Sequence, residues 1–91
     1  MPKFMDHHPK MTQMSPASMQ EGMKMLERLK AEIVAGKADE NGVRPLNVLM
    51  GSNGESWCLT EAANTDAVIK SHAAKGVKLG QNDIVEISTL V

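Results

Sequence analysis

The stretch LNVLMGSNGESWCLTE, Leu46 to Glu61, decides how this chain is organised. Leu46, Val48 and Met50 alternate with Asn47, Leu49 and Gly51, while Trp57, Leu59 and Glu61 alternate with Ser56, Cys58 and Thr60. A period of two sends successive side chains to opposite faces of a strand. Between the runs stands Gly51-Ser52-Asn53-Gly54, and Asn-Gly is a strong hairpin signal because both residues tolerate positive φ. Two adjacent antiparallel strands are therefore expected in the middle of the chain.

Helical patterns flank this hairpin. Upstream, Met19, Met23, Leu26, Leu29 or Lys30, and Ile33 recur at helical spacing, with Glu21, Lys24, Glu27, Arg28 and Glu32 on the outside. Ser15 before Pro16 offers a cap, and Ser18 with Glu21 offers an alternative capping box. Gly36 stands where a left-handed residue ends a helix of about five turns. Lys37 to Val43 is polar and turn-rich and reads as a loop. Downstream, Asn64 or Thr65 caps a shorter helix with Asp66 in its first turn. Its inner face runs through Ala67, Val68, Ser71 or His72, and Ala74 or Lys75, and Gly76 closes it.

The two ends supply the remaining strands. Lys3 to His8 is a short run stopped by Pro9, and its place at the start of the domain argues for a strand more than its propensities do. Ile84, Val85 and Ile87 form the last. The order is β-α-β-β-α-β, a single α+β domain over residues 1–91 of the ferredoxin-like kind. Right-handed crossovers then give a four-stranded antiparallel sheet with both helices on one face and the first and third strands central. The uncovered face would carry either Phe4, Trp57, Leu59 and Ile84, or Met5, Cys58, Val85 and Ile87. Both sets are apolar, so a homodimer through the sheet is expected.

Composition narrows the function classes. A 91-residue chain buries only about two-thirds of the surface its unfolded form exposes, which also favours pairing. Cys58 is the only cysteine, so disulfides, zinc ribbons and a redox CxxC are excluded. Ten basic residues against eleven acidic ones, with Phe4 and Trp57 as the only aromatics, give no nucleic-acid footprint. No stretch approaches the roughly 18 apolar residues of a membrane span. The opening MPKFMDHHPKM has no long apolar h-region and carries histidines where an export signal would be apolar, so the expected location is the cytoplasm. The eight methionines read as adaptable packing on a helix face rather than as soft copper(I) ligands.

The residues that can carry chemistry are few. On a strand Asp6 and His8 share one face and His7 takes the other, so Asp6 and His8 can share a site. Glu61, at the end of the third strand, is expected beside the end of the first, with Asp83 approaching from the other side. An imidazole with carboxylates suits nickel, zinc or another divalent ion. His72 is expected some way from His8, either as a partly buried helix histidine with a local hydrogen bond or as a further ligand. Cys58 reads as an inert small hydrophobe in mid-strand, its alternatives being a soft ligand or a nucleophile.

MPKFMDHH at the start, WCLTEAANTDAVIKSHAAKG later and NDIVEI near the end together resemble a family of small bacterial proteins named for nickel binding. The resemblance implies a ferredoxin-like fold, a dimer and nickel as the metal, with histidines matching at the first strand and at His72. The resulting expectation is a homodimeric nickel-type metal-binding protein for metal handling or sensing. Its candidate ligands are Asp6, His7, His8, Glu61 and His72. The alternatives are a cofactor-free monooxygenase- or isomerase-like enzyme of the dimeric α+β barrel type, or an interaction module without a small ligand.

Overall fold

The computed structural model describes residues 1–9 and 16–88, leaving aside the side chains of Pro16, Ser18 and Met19. The elements are β1 (Lys3–His8), α1 (Pro16–Ala35), β2 (Arg44–Met50), β3 (Ser56–Glu61), α2 (Thr65–Ala74) and β4 (Ile84–Ile87), with a 3₁₀ turn at Gln81–Asp83 before β4. All neighbouring strands are antiparallel, in the order β2-β3-β1-β4. This is the expected ferredoxin-like α+β order. None of the helices among the described residues is long and apolar enough to cross a membrane.

The local signals act largely as read. Gly36 has φ 67°, and its N–H reaches back to the carbonyls of Glu32 and Ile33 to close α1. Asn64 caps α2 by accepting the Ala67 N–H at 2.9 Å. In the β2–β3 turn only Gly54 takes positive φ, at 95°. Asn53 instead uses its side chain, accepting from the Glu55 N–H at 3.0 Å and donating to Glu55 Oε1 at 2.6 Å. The Asn-Gly signal thus marks the hairpin, but the asparagine serves as a side-chain brace. β2 is an edge strand with a register shift between Pro45 and Asn47, where a proline is tolerated because its missing N–H need not join a ladder.

Register separates the two faces of the sheet. Asp6 stands opposite Cys58 and Ile84, and Phe4 opposite Thr60 and Glu86, so these share the helix-covered face. Met5 stands opposite Leu59 and Val85, and His7 opposite Trp57, on the open face. Neither sequence-derived set was right as grouped. Each mixed the two faces, because period-two alternation within a strand does not say how strands align with one another.

The helix-covered side holds a small core of Phe4, Val43, Ala62, Val68 and Leu79, with Ala67 and Ile84 packed against it. Beside it lie the buried polar residues Asp6, Thr60 and Ser71. The loop between α1 and β2 is tied down by Asp39, whose Oδ1 accepts the N–H groups of Asn41 and Val43 at 2.9 and 3.0 Å. The Ser71 hydroxyl donates to Asp39 Oδ2. Lys75, at the C-terminal cap of α2, lies 3.8 Å from Glu32 on α1 and 3.9 Å from Asp39, joining both helices to that loop.

α1 presents a different side to the body than its spacing suggested. Gly22, Met25, Leu29, Glu32 and Ile33 are half-buried, while Met23, Leu26 and Val34 are 67%, 42% and 80% exposed. Apolar residues occur on both sides of this helix, so periodicity alone could not choose between them. The helix-start signals at Ser15–Pro16 and Ser18, and Met11, Met14 and Met19, lie outside the described residues and side chains.

Among the described residues Phe4 is one of the few large side chains buried in the core, so it carries a large share of stability. Phe4→Ala is expected to cost about 3–5 kcal/mol. A urea titration followed by Trp57 fluorescence would report this as a lower midpoint at unchanged slope; an unmoved midpoint would mean that the Phe4 cluster is not the core.

Candidate metal centre

β1 and β3 run side by side in the centre of the sheet, and α2 lies over them. Asp6 is carried on β1 at zero exposure, directly across from Cys58 on β3. His8, two residues on, faces the same side. His72 comes down from α2, one helical turn after Val68, whose side chain anchors the helix in the core. Each of Asp6, His8, Cys58 and His72 offers one donor atom, and these atoms all lie within 4.8 Å of one another.

The individual distances are short. Asp6 Oδ2 lies 2.5 Å from His8 Nε2 and 3.1 Å from His72 Nε2, and Cys58 Sγ lies 3.5 Å from His8 Nε2. The two imidazoles stack, with ring centroids 5.4 Å apart and planes 25° from parallel. His72 Nδ1 sits 2.9 Å from the Val68 carbonyl oxygen. A carbonyl can only accept, so the proton is on Nδ1, and the Nε2 lone pair is available to the site once that nitrogen is deprotonated. The ring nitrogens approach Asp6 Oδ2 without the alignment of well-formed hydrogen bonds, and the buried Oδ1 has no hydrogen-bond partner at all.

Electrostatics follow from placing four ionisable groups together out of water. Burial opposes the charge on Asp6, but the contacts from His72 and His8 outweigh it and hold the carboxyl below its ordinary range. His8 is raised to about 9, chiefly by Asp6 and then by Cys58. His72 is raised to about 10, its burial being overcome by Asp6 and Cys58. Burial pushes the Cys58 thiol up, yet the two imidazoles reverse that and leave it lowered. Acids held low and bases held high form one mutually charged cluster.

The donors fit a divalent ion in number and kind. An ion about 2.0–2.2 Å from nitrogen and oxygen and about 2.3 Å from sulfur holds tetrahedral neighbours roughly 3.3–3.7 Å apart. The Cys58–His8 distance already lies there, and the Asp6–His8 contact needs to open by less than about 1 Å. Alternatively Asp6 can turn its unpartnered Oδ1 to the ion.

Of the sequence-derived candidates, Asp6, His8 and His72 come together. His72 is not remote from His8, because α2 crosses above β1. His7 faces the open side, 2.5 Å from Glu55 Oε2 and against Trp57. Glu61 is at the far end of the sheet, opposite Lys3 and Arg44 and bound to the Arg44 guanidinium at 3.1 Å. The expectation that Glu61 neighbours the end of β1 fails because antiparallel pairing sets His8 against Ser56, the start of β3. Asp83 is occupied with the 3₁₀ turn, where it accepts the Gly80 N–H at 3.0 Å. Cys58, which the sequence favours as an inert hydrophobe with a soft ligand as an alternative, joins the cluster. Its signal lay in the pairing register, which puts it beside Asp6.

No protein-family model and no curated protein matches this chain. Among solved structures, the crystal structure of SCO4226 from Streptomyces coelicolor A3(2) is similar, with a TM-score of 0.58 and 23% identity over 98% of this chain and 99% of that one. At that identity the likeness concerns the fold, which the two chains share over nearly their whole lengths.

The raised histidines give a pH dependence with a definite sign. Their ion pairs stabilise the metal-free fold fully below the unfolded value of about 6.5, and this is lost as pH rises through about 9 and about 10. Cys58, lowered in the fold, runs in the opposite sense, so Cys58→Ser isolates the histidine contribution. Metal-stripped Cys58→Ser is expected to melt at steadily lower temperature from about pH 7 to about pH 10. Adding Asp6→Asn should flatten that slope. A flat profile with Asp6 intact would remove the ion pairs from the account.

Proposed function

We propose that this chain is a small homodimeric protein that binds one divalent transition metal ion per subunit, for metal handling or sensing, through Asp6, His8, Cys58 and His72. The observation that carries this reading is the convergence of four different donor atoms on one point. A catalytic cysteine–histidine–aspartate relay uses both ring nitrogens of its histidine, one for the nucleophile and one for the acid. Here the Nε2 atom of His8 meets both Asp6 and Cys58, and Nε2 of His72 meets the same carboxylate oxygen. Such a cluster suits chelation.

Charge supports the same reading. With both imidazoles protonated and both acids ionised, the cluster carries two charges of each sign. A divalent ion that replaces the two imidazolium protons leaves that sum unchanged. Binding therefore exchanges protons for metal without burying net charge. The mixed nitrogen, oxygen and sulfur set is of borderline softness and suits nickel or zinc. The sequence resemblance to nickel-binding proteins selects nickel as the first ion to test. A reduced Cys58 ligand fits the cytoplasm, where thiols persist.

The dimer is assigned to the open face of the sheet. Met5, Trp57, Leu59 and Ile87 are half-buried there, and Leu49 and Val85 are 44% and 58% exposed. A second copy would cover this apolar surface.

Calorimetry on metal-stripped protein tests the metal directly. Nickel or zinc is expected to bind once per chain and to release the two imidazolium protons, with a further proton where the Cys58 thiol is not yet ionised, read from the dependence of the heat on buffer ionisation. Loss of a group that merely orients a ligand costs about 10- to 100-fold in affinity, so His8→Ala and His72→Ala should each exceed that. His7→Ala and Glu61→Gln should leave affinity unchanged. Bound nickel or cobalt should show a sulfur-to-metal charge-transfer band that Cys58→Ser removes. Binding that survives His8→Ala and His72→Ala together would defeat the assignment.

A further inference from the structure

α1 is amphipathic twice over. At about 100° per residue, Gly22, Met25, Leu29, Glu32 and Ile33 fall on one side, and this is the side turned to the protein body. On the opposite side Met23, Glu27, Lys30 and Val34 fall within about 60° of one another. All four are exposed, and Leu26 and Ala31 flank them. Their spacing of four, three and four residues is that of a coiled-coil seam. The metal centre, the small core and the open sheet face all lie elsewhere, so nothing in the proposed function accounts for a methionine at 67% exposure and a valine at 80%.

The order of residues along this seam says what fits it. Met23 and Val34 are equidistant from one midpoint, between Arg28 and Leu29, and so are Glu27 and Lys30. A second copy of the helix laid antiparallel about a two-fold axis at that midpoint sets Met23 of each copy against Val34 of the other. It also sets each Glu27 beside the other copy's Lys30. Apolar ends meet apolar ends, and two ion pairs form at the centre. A parallel arrangement would instead stack Glu27 on Glu27 and Lys30 on Lys30. A shallow depression lined by Glu27, Lys30, Ala31, Val34 and Ala35 lies where the opposing Met23 would arrive, and the two alanines allow close approach.

We propose that the outer seam of α1 is a self-association surface that takes the same seam of a second copy, antiparallel, about a two-fold axis between Arg28 and Leu29. One helix pair buries less than the roughly 1,200 Å² of a stable specific interface. The contact therefore acts as a secondary one that joins sheet-paired dimers into larger assemblies, strengthened by the simultaneous engagement of several weak contacts. The pairing itself is independent of the sheet contact and of the metal.

Engineered cysteines test the register. Paired as proposed, residues 23 and 34 of opposite copies come within disulfide range, whereas two copies of residue 23 lie about 16 Å apart along the seam. The variant carrying both Met23→Cys and Val34→Cys, mildly oxidised, should give a covalent dimer on non-reducing gels. Wild type, with only Cys58, and each single variant should not. Both positions are exposed, so folding is not at stake. The ionic centre is tested in a Val85→Glu background, which disables sheet pairing and leaves the seam alone. In sedimentation at millimolar concentration, Glu27→Lys or Lys30→Glu should each weaken association about tenfold at low salt, and the two together should restore it. Failure of the double-cysteine variant to cross-link above the singles, or a charge reversal without rescue, would overturn the antiparallel seam. Loss of the sheet dimer alone would leave these results standing.

Discussion

The structure is organised around a carboxylate that has no business being buried alone. Asp6 sits at zero exposure on a central strand, where an isolated charge would be costly. The two imidazoles that offset its charge, and the thiol beside them, are brought there by the fold. His8 comes from the same strand, Cys58 is adjacent on the next strand, and His72 descends from the helix above. The His72 ring is itself aimed by the Val68 carbonyl, and Val68 is buried in the core. Packing and site geometry thus share residues, and α2 is held to the sheet by both.

This arrangement explains an unusual interior. Among the described residues, Phe4, Val43, Ala62, Val68 and Leu79 form the buried hydrophobic cluster, and the polar residues Asp6, Thr60 and Ser71 are buried beside it. Asp39, Ser71, Lys75 and Glu32 form a second linked set that ties the α1–β2 loop to both helices. A small domain built this way has limited stability to spare. An ion bound by the Asp6 cluster would stabilise the folded form by mass action, because the unfolded chain has no such site. Asp6 Oδ1 is one of the buried polar atoms that lack a hydrogen-bond partner among the described residues.

Two surfaces of the molecule are more apolar than a small monomer requires. The open sheet face and the outer seam of α1 lie on different sides of the protein. They differ in kind as well: the sheet face is broad and its hydrophobic residues are mostly half-buried, while the seam is narrow and has charges at its centre. The pairing proposed for each sets the same patch of two copies together, the arrangement that closed homo-oligomers use.

Local chemistry in the sequence was enough for the six-element order. Gly36, Asn64 and the Asn53-Gly54 pair act where they stand, since a cap or a turn involves only residues a few positions apart. Alternation likewise separated His7 from Asp6 and His8, because side chains of a strand point to alternate faces whatever lies next to it. What linear order could not supply was the alignment of one strand against another. Antiparallel pairing put Cys58, and not Glu61, beside Asp6, and the crossing of α2 brought in His72. The same limit applies to α1, where apolar residues on both sides left the choice of inner face to packing. The chain alone thus determined a strand bearing Asp6 and His8, and only the tertiary structure decided their partners, because four donors from distant positions meet through register and helix placement.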